Sequence, residues 1–169
     1  MHYTAEKNAK LFYQNYFKNN VEGKNIIDFG SLDVNGCLKP FFKGANYIGI
    51  DQEKGSNVDL VCSNDDVPFK DNYFDIILSS SCLEHDECFW ISFLEMCRVL
   101  KPGGFIYINT PSSGYYHGYP VDCWRFYPDS YKALEKWGNK KGYKISLLES
   151  YIDEEDTNWK DSIGIYTKL

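Results

Sequence analysis

The chain has 169 residues, of which 43% are hydrophobic, so it is long enough to bury one good core and hardly two. Its formal net charge of -6 would repel a polyanion, which disfavours nonspecific binding to a nucleic-acid backbone. No apolar run approaches the roughly 20 residues that span a bilayer, and residues 1–20 lack the apolar centre and cleavage site of a signal peptide. These features predict one soluble, cytoplasmic domain over residues 1–169.

The six cysteines are scattered without any Cys-x-x-Cys pair, and only three histidines accompany them. This spacing disfavours both a zinc site and a disulfide framework. We therefore predict reduced, mostly buried thiols and no metal site.

The first half of the chain alternates between helical and extended patterns, as expected for a parallel sheet covered by helices. Residues 1–20 are predicted to form a helix that Thr4 caps. Strands are predicted at 25–29, 47–50 and 58–62, with a short helix within 34–42. Only about seven residues separate Asp51 from the third strand, so a crossover helix there must be stunted or absent.

The second half continues this alternation. The apolar segment 74–79 is typical of a central strand, and Asp86 can cap a helix that stops at Pro102-Gly103-Gly104. A fifth strand at 105–109 is followed by an aromatic loop at 112–128, a helix at about 129–139 and strands at 143–148 and 163–168. The acidic run 149–156 is interpreted as an exposed connection. Seven strands and interleaved helices predict an α/β fold without a domain boundary.

A signal for a nucleoside lies at the ends of the first two strands. The first strand breaks at Gly30, where backbone amides can approach a ligand. The second ends in Asp51, whose carboxylate can accept hydrogen bonds from both hydroxyls of a ribose. The alternatives are an ordinary strand-ending turn at Asp28 and Gly30, and a cap of the following turn for Asp51.

Four ordered sequence blocks carry a resemblance to a known family. They are IIDFGSLDVNG, YIGID, DVPFKDNYFDIILSSSCLEH and RVLKPGGFIYINTPS. With these blocks the chain resembles the class I S-adenosylmethionine-dependent methyltransferases, in particular the small type 11-like members, over residues 25–169. The resemblance implies a single-domain Rossmann-like fold: a seven-stranded, mostly parallel sheet with an antiparallel last strand and helices on both faces. It also implies S-adenosylmethionine as the cofactor, bound across the carboxyl ends of the first strands.

The resemblance places the amino-acid end of the cofactor at Asp28 and Gly30. The glycine block departs from the family pattern, because Leu32 and Val34 stand where further glycines are usual. The loop can therefore take a different path around the methionine part of the cofactor.

The nucleoside end of the cofactor is implied at the next two strands. Asp51 would bind the ribose and Gln52 would form a wall for the adenine. Either Asn64 or Asp65 would accept from the exocyclic amine of adenine, since the register is ambiguous by a residue or two. A solvated acidic turn is the alternative for each of these two residues.

Polar residues after the fourth strand lie where the cofactor methyl group and the substrate meet in the family. Ser79 and Ser80 would contact the methionine part of the cofactor, or else cap the edge of the sheet. Glu84-His85 matches a recurrent family pair, and His85 has the intrinsic pKa of a general base. The alternative is a structural histidine that opens a helix.

The aromatic loop carries the predicted substrate-binding residues. Some relatives have a similar Pro-x-Asp-x-x-Arg-Phe run that borders the substrate pocket. Arg125 could grip a carboxylate or phosphate, and His117, Asp122 and Trp124 would contact the substrate. Alternatively, Asp122 pairs with Arg125, and Trp124 anchors the loop to the core.

The predicted function is transfer of a methyl group from S-adenosylmethionine to an oxygen or nitrogen of a small molecule. A hydroxyl or a protonated amine requires a base, for which His85 and His117 are the candidates. One alternative is a noncatalytic protein that binds the cofactor or its demethylated product. Another is a nicotinamide-dependent oxidoreductase, although the full glycine fingerprint is missing. The sequence leaves the acceptor and the oligomeric state open.

Overall fold

A computed structural model describes residues 2–155 and 158–169. Met1, Asp156 and Thr157 lie outside the described residues. Met1 belongs to the predicted first helix, Asp156 belongs to the predicted acidic run, and all three belong to the predicted domain. The helices and strands, in chain order, are α1 (Tyr3–Phe17), β1 (Asn25–Phe29), β2 (Asn46–Asp51), β3 (Leu60–Val61), β4 (Phe74–Ser80), α2 (Phe89–Val99), β5 (Leu100–Pro111), α3 (Pro128–Lys140), β6 (Ile145–Ile152) and β7 (Asp161–Lys168). Single 3-10 turns occur at Lys39–Phe41 and Leu83–His85.

The seven strands form one sheet in the order β3-β2-β1-β4-β5-β7-β6. Neighbouring strands from β3 to β5 are parallel, whereas β7 is antiparallel to both β5 and β6. The direction of winding reverses between β1 and β4, so their carboxyl ends border the crevice where open α/β sheets bind ligands. The predicted fold class, including the antiparallel last strand beside the fifth, is confirmed.

Two apolar layers cover the two faces of the sheet. Along β1, Ile26 belongs to the layer beneath α1, and Ile27 belongs to the layer beneath α2 and α3. In the first layer, the Phe12 ring of α1 stacks on Tyr107 with ring centroids 5.0 Å apart. The predicted helices on both faces are therefore present.

Within the described residues, no helix combines the length and the apolarity needed to cross a bilayer.

The connections on the β1–β2–β3 side of the sheet are short. The helix predicted within 34–42 is reduced to one 3-10 turn because Asp33 Oδ1 accepts from the amide of Gly36 at 2.6 Å, which favours a local turn. Gly36 also has a φ of 110°, which no helix residue adopts. In the described chain, no helix joins β2 to β3, as the short spacing predicts.

Helix α1 is held against the sheet by buried polar groups. Thr4 is not its cap: the Thr4 hydroxyl donates to Asp161 Oδ2 at 2.5 Å, and His2 Nε2 lies 2.8 Å from the same oxygen. The prediction of an exposed acidic run is wrong at Asp153, which is buried and accepts from Asn8 Nδ2 at 2.7 Å. The carboxylates near the carboxyl end of the chain thus fix the amino-terminal helix.

Candidate functional site

A cavity of about 840 Å³ opens at the carboxyl ends of β1, β2, β4 and β5. This volume is within the range of small-ligand pockets, about 300–1,000 Å³. The predicted site residues that line it are Asp28, Gly30, Asp51, Gln52, Asn64, Ser80, His85 and His117. The predicted residues that lie outside its lining are Asp65, Ser79, Asp122, Trp124 and Arg125.

Gly30 brings the loop after β1 close to the loop after β4. Its φ is 74°, and a Cβ at this position would lie 2.5 Å from the Cβ and Sγ of Cys82. Its amide donates to the carbonyl of Ile50 at 3.0 Å, which ties the loop to β2. Any side chain here would strain the backbone and also fill the crevice.

Asp51 joins the two loops that form the floor of the cavity. Its Oδ2 accepts from the amide of Leu32 at 3.2 Å, and its Oδ1 accepts from the amide of Glu53 at 3.0 Å. Each carboxylate oxygen can accept a second hydrogen bond. The turn-capping role therefore leaves Asp51 able to face a ligand in the cavity.

Asp28 is a buried carboxyl group at the base of the same crevice. Its side chain is 4% exposed, and its Oδ2 accepts from the hydroxyl of Tyr47 at 2.5 Å. Burial raises the pKa of Asp28 to about 7, and the charge of Asp51 acts in the same direction. A cation beside Asp28 would therefore convert it to the carboxylate near neutral pH.

The two candidates for adenine contact occupy different environments. Asn64 is buried in the cavity wall, where its Nδ2 lies 3.5 Å from Cys82 Sγ. Its Oδ1 has no hydrogen-bond partner among the described residues, which is uncommon for a buried polar atom. Asp65 is exposed and accepts from the hydroxyl of Ser63. Of the two, only Asn64 lines the cavity, and its Oδ1 is an acceptor without a partner in the described residues.

The serines at the end of β4 also differ. Ser80 lines the cavity, whereas Ser79 is fully buried beneath it. The Ser79 hydroxyl has no hydrogen-bond partner in the described part of the chain. Ser80 is therefore the serine of the pair that a bound molecule can reach.

Glu84, His85 and His117 form a cluster beyond the ends of β4 and β5. One side-chain ligand atom from each residue lies within 4.8 Å of the other two. Glu84 is only 1% exposed, and its Oε2 has no hydrogen-bond partner in residues 2–155 or 158–169. Burial raises the pKa of Glu84 to about 8. Glu84 was noted in the sequence only as part of the Glu84-His85 pair, and His85 alone was predicted as a site residue.

Both histidines of this cluster are oriented through Nδ1. His85 Nδ1 lies 2.5 Å from the carbonyl oxygen of Val121, which can only accept. We therefore assign the His85 proton to Nδ1, which leaves a lone pair on Nε2. Burial lowers the pKa of His85, so its imidazole is neutral at pH 7. His117 Nδ1 lies 3.1 Å from Asp122 Oδ2, and the two imidazole rings meet edge to face.

The aromatic loop is fixed by an internal ion pair. Arg125 binds both carboxylate oxygens of Asp122, at 2.6 and 2.8 Å, and holds the pKa of Asp122 far below its usual range. Arg125 also donates to the carbonyl of Tyr115 at 3.0 Å. The indole of Trp124 donates to the carbonyl of Asp86 at 2.9 Å. These contacts favour the alternative in which the loop residues anchor one another instead of binding a substrate.

Residues distant in sequence complete the cavity wall. Trp159, which precedes β7, and His2, which precedes α1, both line the cavity. The Trp159 ring packs against His117 with centroids 4.5 Å apart. No local pattern in the sequence marks Trp159 or His2, because only the packed fold brings both ends of the chain to this edge of the sheet.

The charged groups that line the cavity are acidic. They are Asp28, Asp51, Glu53, Glu84 and Asp86. Among the described residues of the lining there is no lysine and no arginine. The resulting field attracts cationic groups and repels phosphates.

The chain is similar to a known protein family and to several solved structures. The family model described as a methyltransferase domain matches residues 36–108. A search of curated protein sequences finds no match to this chain. Solved structures with the same fold include three whose names state an activity.

A 1,6-didemethyltoxoflavin-N1-methyltransferase from Burkholderia thailandensis, with bound 1,6-didemethyltoxoflavin and S-adenosylhomocysteine, superposes with a TM-score of 0.73 at 13% identity, over 97% of this chain and 77% of that one. A phosphoethanolamine N-methyltransferase 2 from Haemonchus contortus, in complex with S-adenosyl-L-methionine, gives 0.61 at 16% identity, over 96% and 52%. The [4+2]-cyclase SpnF gives 0.67 at 13% identity, over 96% and 80%. These likenesses show the fold, and together with the family match they confirm the resemblance inferred from the sequence.

Proposed function

We propose that this chain, which carries a methyltransferase domain in the class I S-adenosylmethionine-dependent fold, transfers a methyl group from S-adenosylmethionine to an oxygen or nitrogen of a small molecule. The observation that carries the proposal is the acidic cavity at the carboxyl ends of β1 and β2, lined by Gly30 and Asp51. S-adenosylmethionine has a sulfonium, an ammonium and a ribose diol, and each suits an acidic lining. A nicotinamide dinucleotide carries a pyrophosphate, for which the described lining offers no lysine or arginine.

The residues of the cavity fit the parts of this cofactor. Asp51 would accept from the ribose hydroxyls, and the free Oδ1 of Asn64 would accept from the exocyclic amine of adenine, beside Gln52. Gly30 would leave room for the amino-acid end. Asp28 would ionise next to the ammonium, because a nearby cation favours the carboxylate.

When bound, S-adenosylmethionine supplies a methyl group that is already activated on sulfur. The protein therefore mainly has to position the acceptor and remove its proton. His85, which has a lone pair on Nε2, and His117, which packs against Trp159, both line the cavity, and either imidazole can receive that proton. The aromatic ring of Trp159 would cover an apolar part of the acceptor.

The lining also narrows the class of acceptor. The Haemonchus contortus neighbour is named for a phosphorylated substrate, and a phosphate here would face carboxylates without a balancing lysine or arginine in the described lining. We therefore favour a neutral or cationic acceptor. Because a cyclase shares the fold, methyl transfer has to be tested by turnover and not by fold alone.

A binding experiment tests the cofactor site. Asp51→Asn should weaken the affinity for S-adenosylhomocysteine by about 10- to 100-fold in calorimetry, because one acceptor of the ribose hydroxyls is lost. Asp65→Asn is the matched control: Asp65 is an exposed carboxylate outside the lining, and its loss should change the affinity less than about twofold. Equal effects of the two substitutions, or tighter binding of NADH than of S-adenosylhomocysteine, would contradict the proposal.

A turnover experiment tests the reaction. Formation of S-adenosylhomocysteine is followed by mass spectrometry with panels of phenols, amines and carboxylates. At least one acceptor should be methylated, and His85→Asn should lower the rate with a hydroxyl acceptor by about 10²- to 10⁴-fold while cofactor affinity stays unchanged. Tight cofactor binding without any methylated product would favour the noncatalytic alternative.

A further inference from the structure

We propose that Glu84, His85 and His117 form a binding site for a divalent transition-metal cation whose open coordination positions face the cavity. All three side chains line the cavity, and one ligand atom of each lies within 4.8 Å of the other two. The prediction of no metal site rested on the cysteine spacing and on the small number of histidines, whereas this cluster combines two of the three histidines with a carboxyl group and contains no cysteine.

The distances suit a single ion. Nitrogen and oxygen ligands bind zinc and similar cations at about 2.0–2.2 Å, so two ligands of one ion are at most about 4.4 Å apart. Glu84 Oε1 and His85 Nε2 are 3.8 Å apart, within that limit. The three ligand atoms all lie within 4.8 Å of one another, so a contraction of at most about 0.4 Å, which side-chain rotation can supply, brings every pair within the limit.

A buried atom in the cluster has no partner. Glu84 is 1% exposed, and its Oε2 forms no hydrogen bond within the described residues. Burying a carboxylate without a partner is unfavourable, and buried carboxylates are normally paired or bound to a metal. Oε1 is the oxygen that lies 3.8 Å from His85 Nε2, so a cation beside the imidazoles would satisfy Oε2 by binding both oxygens of the Glu84 carboxylate.

The histidines already have the second contacts that metal-binding histidines usually show. A histidine ligand normally donates its other ring N–H to a carbonyl or a carboxylate, which fixes the ring and its tautomer. His85 Nδ1 meets the carbonyl of Val121 at 2.5 Å, and His117 Nδ1 meets Asp122 Oδ2 at 3.1 Å. Asp122 is in turn held by Arg125. These contacts leave Nε2 of His85 and Nε2 of His117 each with a lone pair that a cation can bind.

The donor set favours a particular class of ion. Two imidazoles and one carboxylate suit Zn²⁺, Mn²⁺, Fe²⁺, Co²⁺ or Ni²⁺, whereas Mg²⁺ and Ca²⁺ prefer sites made of oxygen alone. Three protein ligands leave positions open for a bound molecule. If the proposed methyl transfer is correct, a bound cation would hold a hydroxyl acceptor and lower its pKa, so that its proton passes to water; the histidines would then be ligands in the metal-bound protein and bases only in the metal-free protein.

The test is a titration of the protein alone with Co²⁺, without cofactor or acceptor, followed by visible absorption. One Co²⁺ per chain should bind and be displaced by Zn²⁺. Glu84→Gln and His117→Asn should each weaken binding by at least about 100-fold. Glu87→Gln, an exposed carboxylate three residues from Glu84, is the matched control and should change affinity less than about twofold.

Several outcomes would overturn the site. They are no binding of Co²⁺, Zn²⁺ or Mn²⁺ at millimolar concentration, equal binding by Glu84→Gln and Glu87→Gln, and a near-ultraviolet band from a cobalt–thiolate bond. Circular dichroism verifies that each variant is folded, and His117→Asn keeps the test decisive if Glu84→Gln does not fold. S-adenosylhomocysteine affinity, measured separately on the same samples, tests the proposed function, so failure of one proposal is distinguishable from failure of the other.

Discussion

At the scale of single residues, a comparison of Gly30 with Gly103 distinguishes the cost of backbone strain from the cost of a steric clash. Gly30 and Gly103 have φ values of 74° and 75°. A Cβ at Gly30 would lie 2.5 Å from Cys82, whereas a Cβ at Gly103 would have no heavy atom within 4 Å. The two positions thus share the same conformational demand and differ in what surrounds them.

Gly30→Ala should therefore destabilise the chain by about 1–3 kcal/mol more than Gly103→Ala, because only the first adds an overpacking cost to the strain of a left-handed backbone. Urea denaturation at pH 7 measures the difference. Only Gly30→Ala should also weaken S-adenosylhomocysteine binding, since Gly30 lines the cavity. Equal losses of stability in the two variants would show that Cys82 can move aside.

Residue positions were predictable where local sequence determines them. Gly30 follows the first strand and Asp51 ends the second, so their place at the carboxyl edge of the sheet follows from the pattern of the chain. Glu84 could not be assigned a role in the same way, because an acidic residue in a short turn is usually exposed, and its burial depends on packing. Trp159 reaches the cavity only through the path of the chain between β6 and β7.

At the scale of elements, the aromatic loop illustrates why composition can mislead. An arginine beside a predicted pocket indicated anion binding, but its Nη1 and Nη2 donors bind Asp122 and two backbone carbonyls, those of Tyr115 and Trp124. Its Nε is buried and has no hydrogen-bond partner among the described residues. The sequence contained both partners of this pair, and only the loop conformation decides between pairing and substrate contact.

The loop should consequently lose its shape when the pair is broken. Arg125→Met leaves the carboxylate of Asp122, which is 2% exposed, without its main partner, and should destabilise the chain by about 3–5 kcal/mol at pH 7. Lys132→Met removes an ion pair with Asp129 whose side chains are 59% and 89% exposed, so solvent screens this pair and its loss should lower stability far less than the loss of Arg125 does.

Acid conditions should reduce the difference in stability between wild type and Arg125→Met. The pKa of Asp122 is lower in the folded chain than in the unfolded chain, so its pair stabilises the fold above about pH 4 and loses that effect as pH falls further. Urea midpoints of wild type and Arg125→Met at pH 7 and pH 3 measure it. A gap that stays constant between these pH values would contradict the role assigned to this ion pair.

Helix α1 provides a second prediction about an element. Thr4→Val removes the hydroxyl that donates to buried Asp161, whereas Thr4→Ser retains it. Thr4→Val should therefore be about 1–2 kcal/mol less stable than Thr4→Ser in urea denaturation. Amide exchange in β7 should also be faster in Thr4→Val, because Asp161 belongs to that strand. If Thr4 acted only as a helix cap, Thr4→Val would lower the helix content of α1 and leave amide exchange in β7 unchanged.

Element boundaries were predicted best where periodicity is strong and where no local side chain competes with the backbone. The strand at 25–29 was predicted with the bounds that the structure shows. Asp86 was predicted to cap helix α2, but the helix begins at Phe89, because Asp86 accepts from the amide of Cys88 in the turn before the helix and from the hydroxyl of Ser92 within it. Such side-chain contacts are not visible in hydrophobic periodicity.

At the scale of the whole molecule, the acidic cavity makes folding stability depend on the protonation of its carboxyl groups and on the charge of a bound ligand. The described lining carries carboxyl groups and no lysine or arginine, so part of this negative charge is neutralised by protonation when no ligand is bound. A cationic ligand can replace those protons. Protonation, cofactor binding and stability should therefore change together across neutral pH.

Asp28 gives the sharpest measurement of this coupling. Its pKa is about 7 in the folded chain and about 3.9 when unfolded, so between these values the folded state retains a proton that the unfolded state has lost. The contribution of Asp28 to stability is then complete below about pH 4 and is lost as pH rises through 7. Asp28→Asn still offers an acceptor to Tyr47 but cannot ionise. The stability of Asp28→Asn relative to wild type should therefore rise by about 2–4 kcal/mol between pH 4 and pH 8 in urea denaturation.

The exposed carboxylate of Asp65 is the control for this measurement, since Asp65→Asn should follow the wild-type pH dependence in parallel. Saturating S-adenosylhomocysteine should flatten the wild-type curve, because its ammonium beside Asp28 favours the carboxylate and lowers the pKa of that group. A steep curve that persists with bound S-adenosylhomocysteine would place the ammonium elsewhere in the cavity. Parallel curves for Asp28→Asn and wild type would mean that burial does not hold a proton on Asp28.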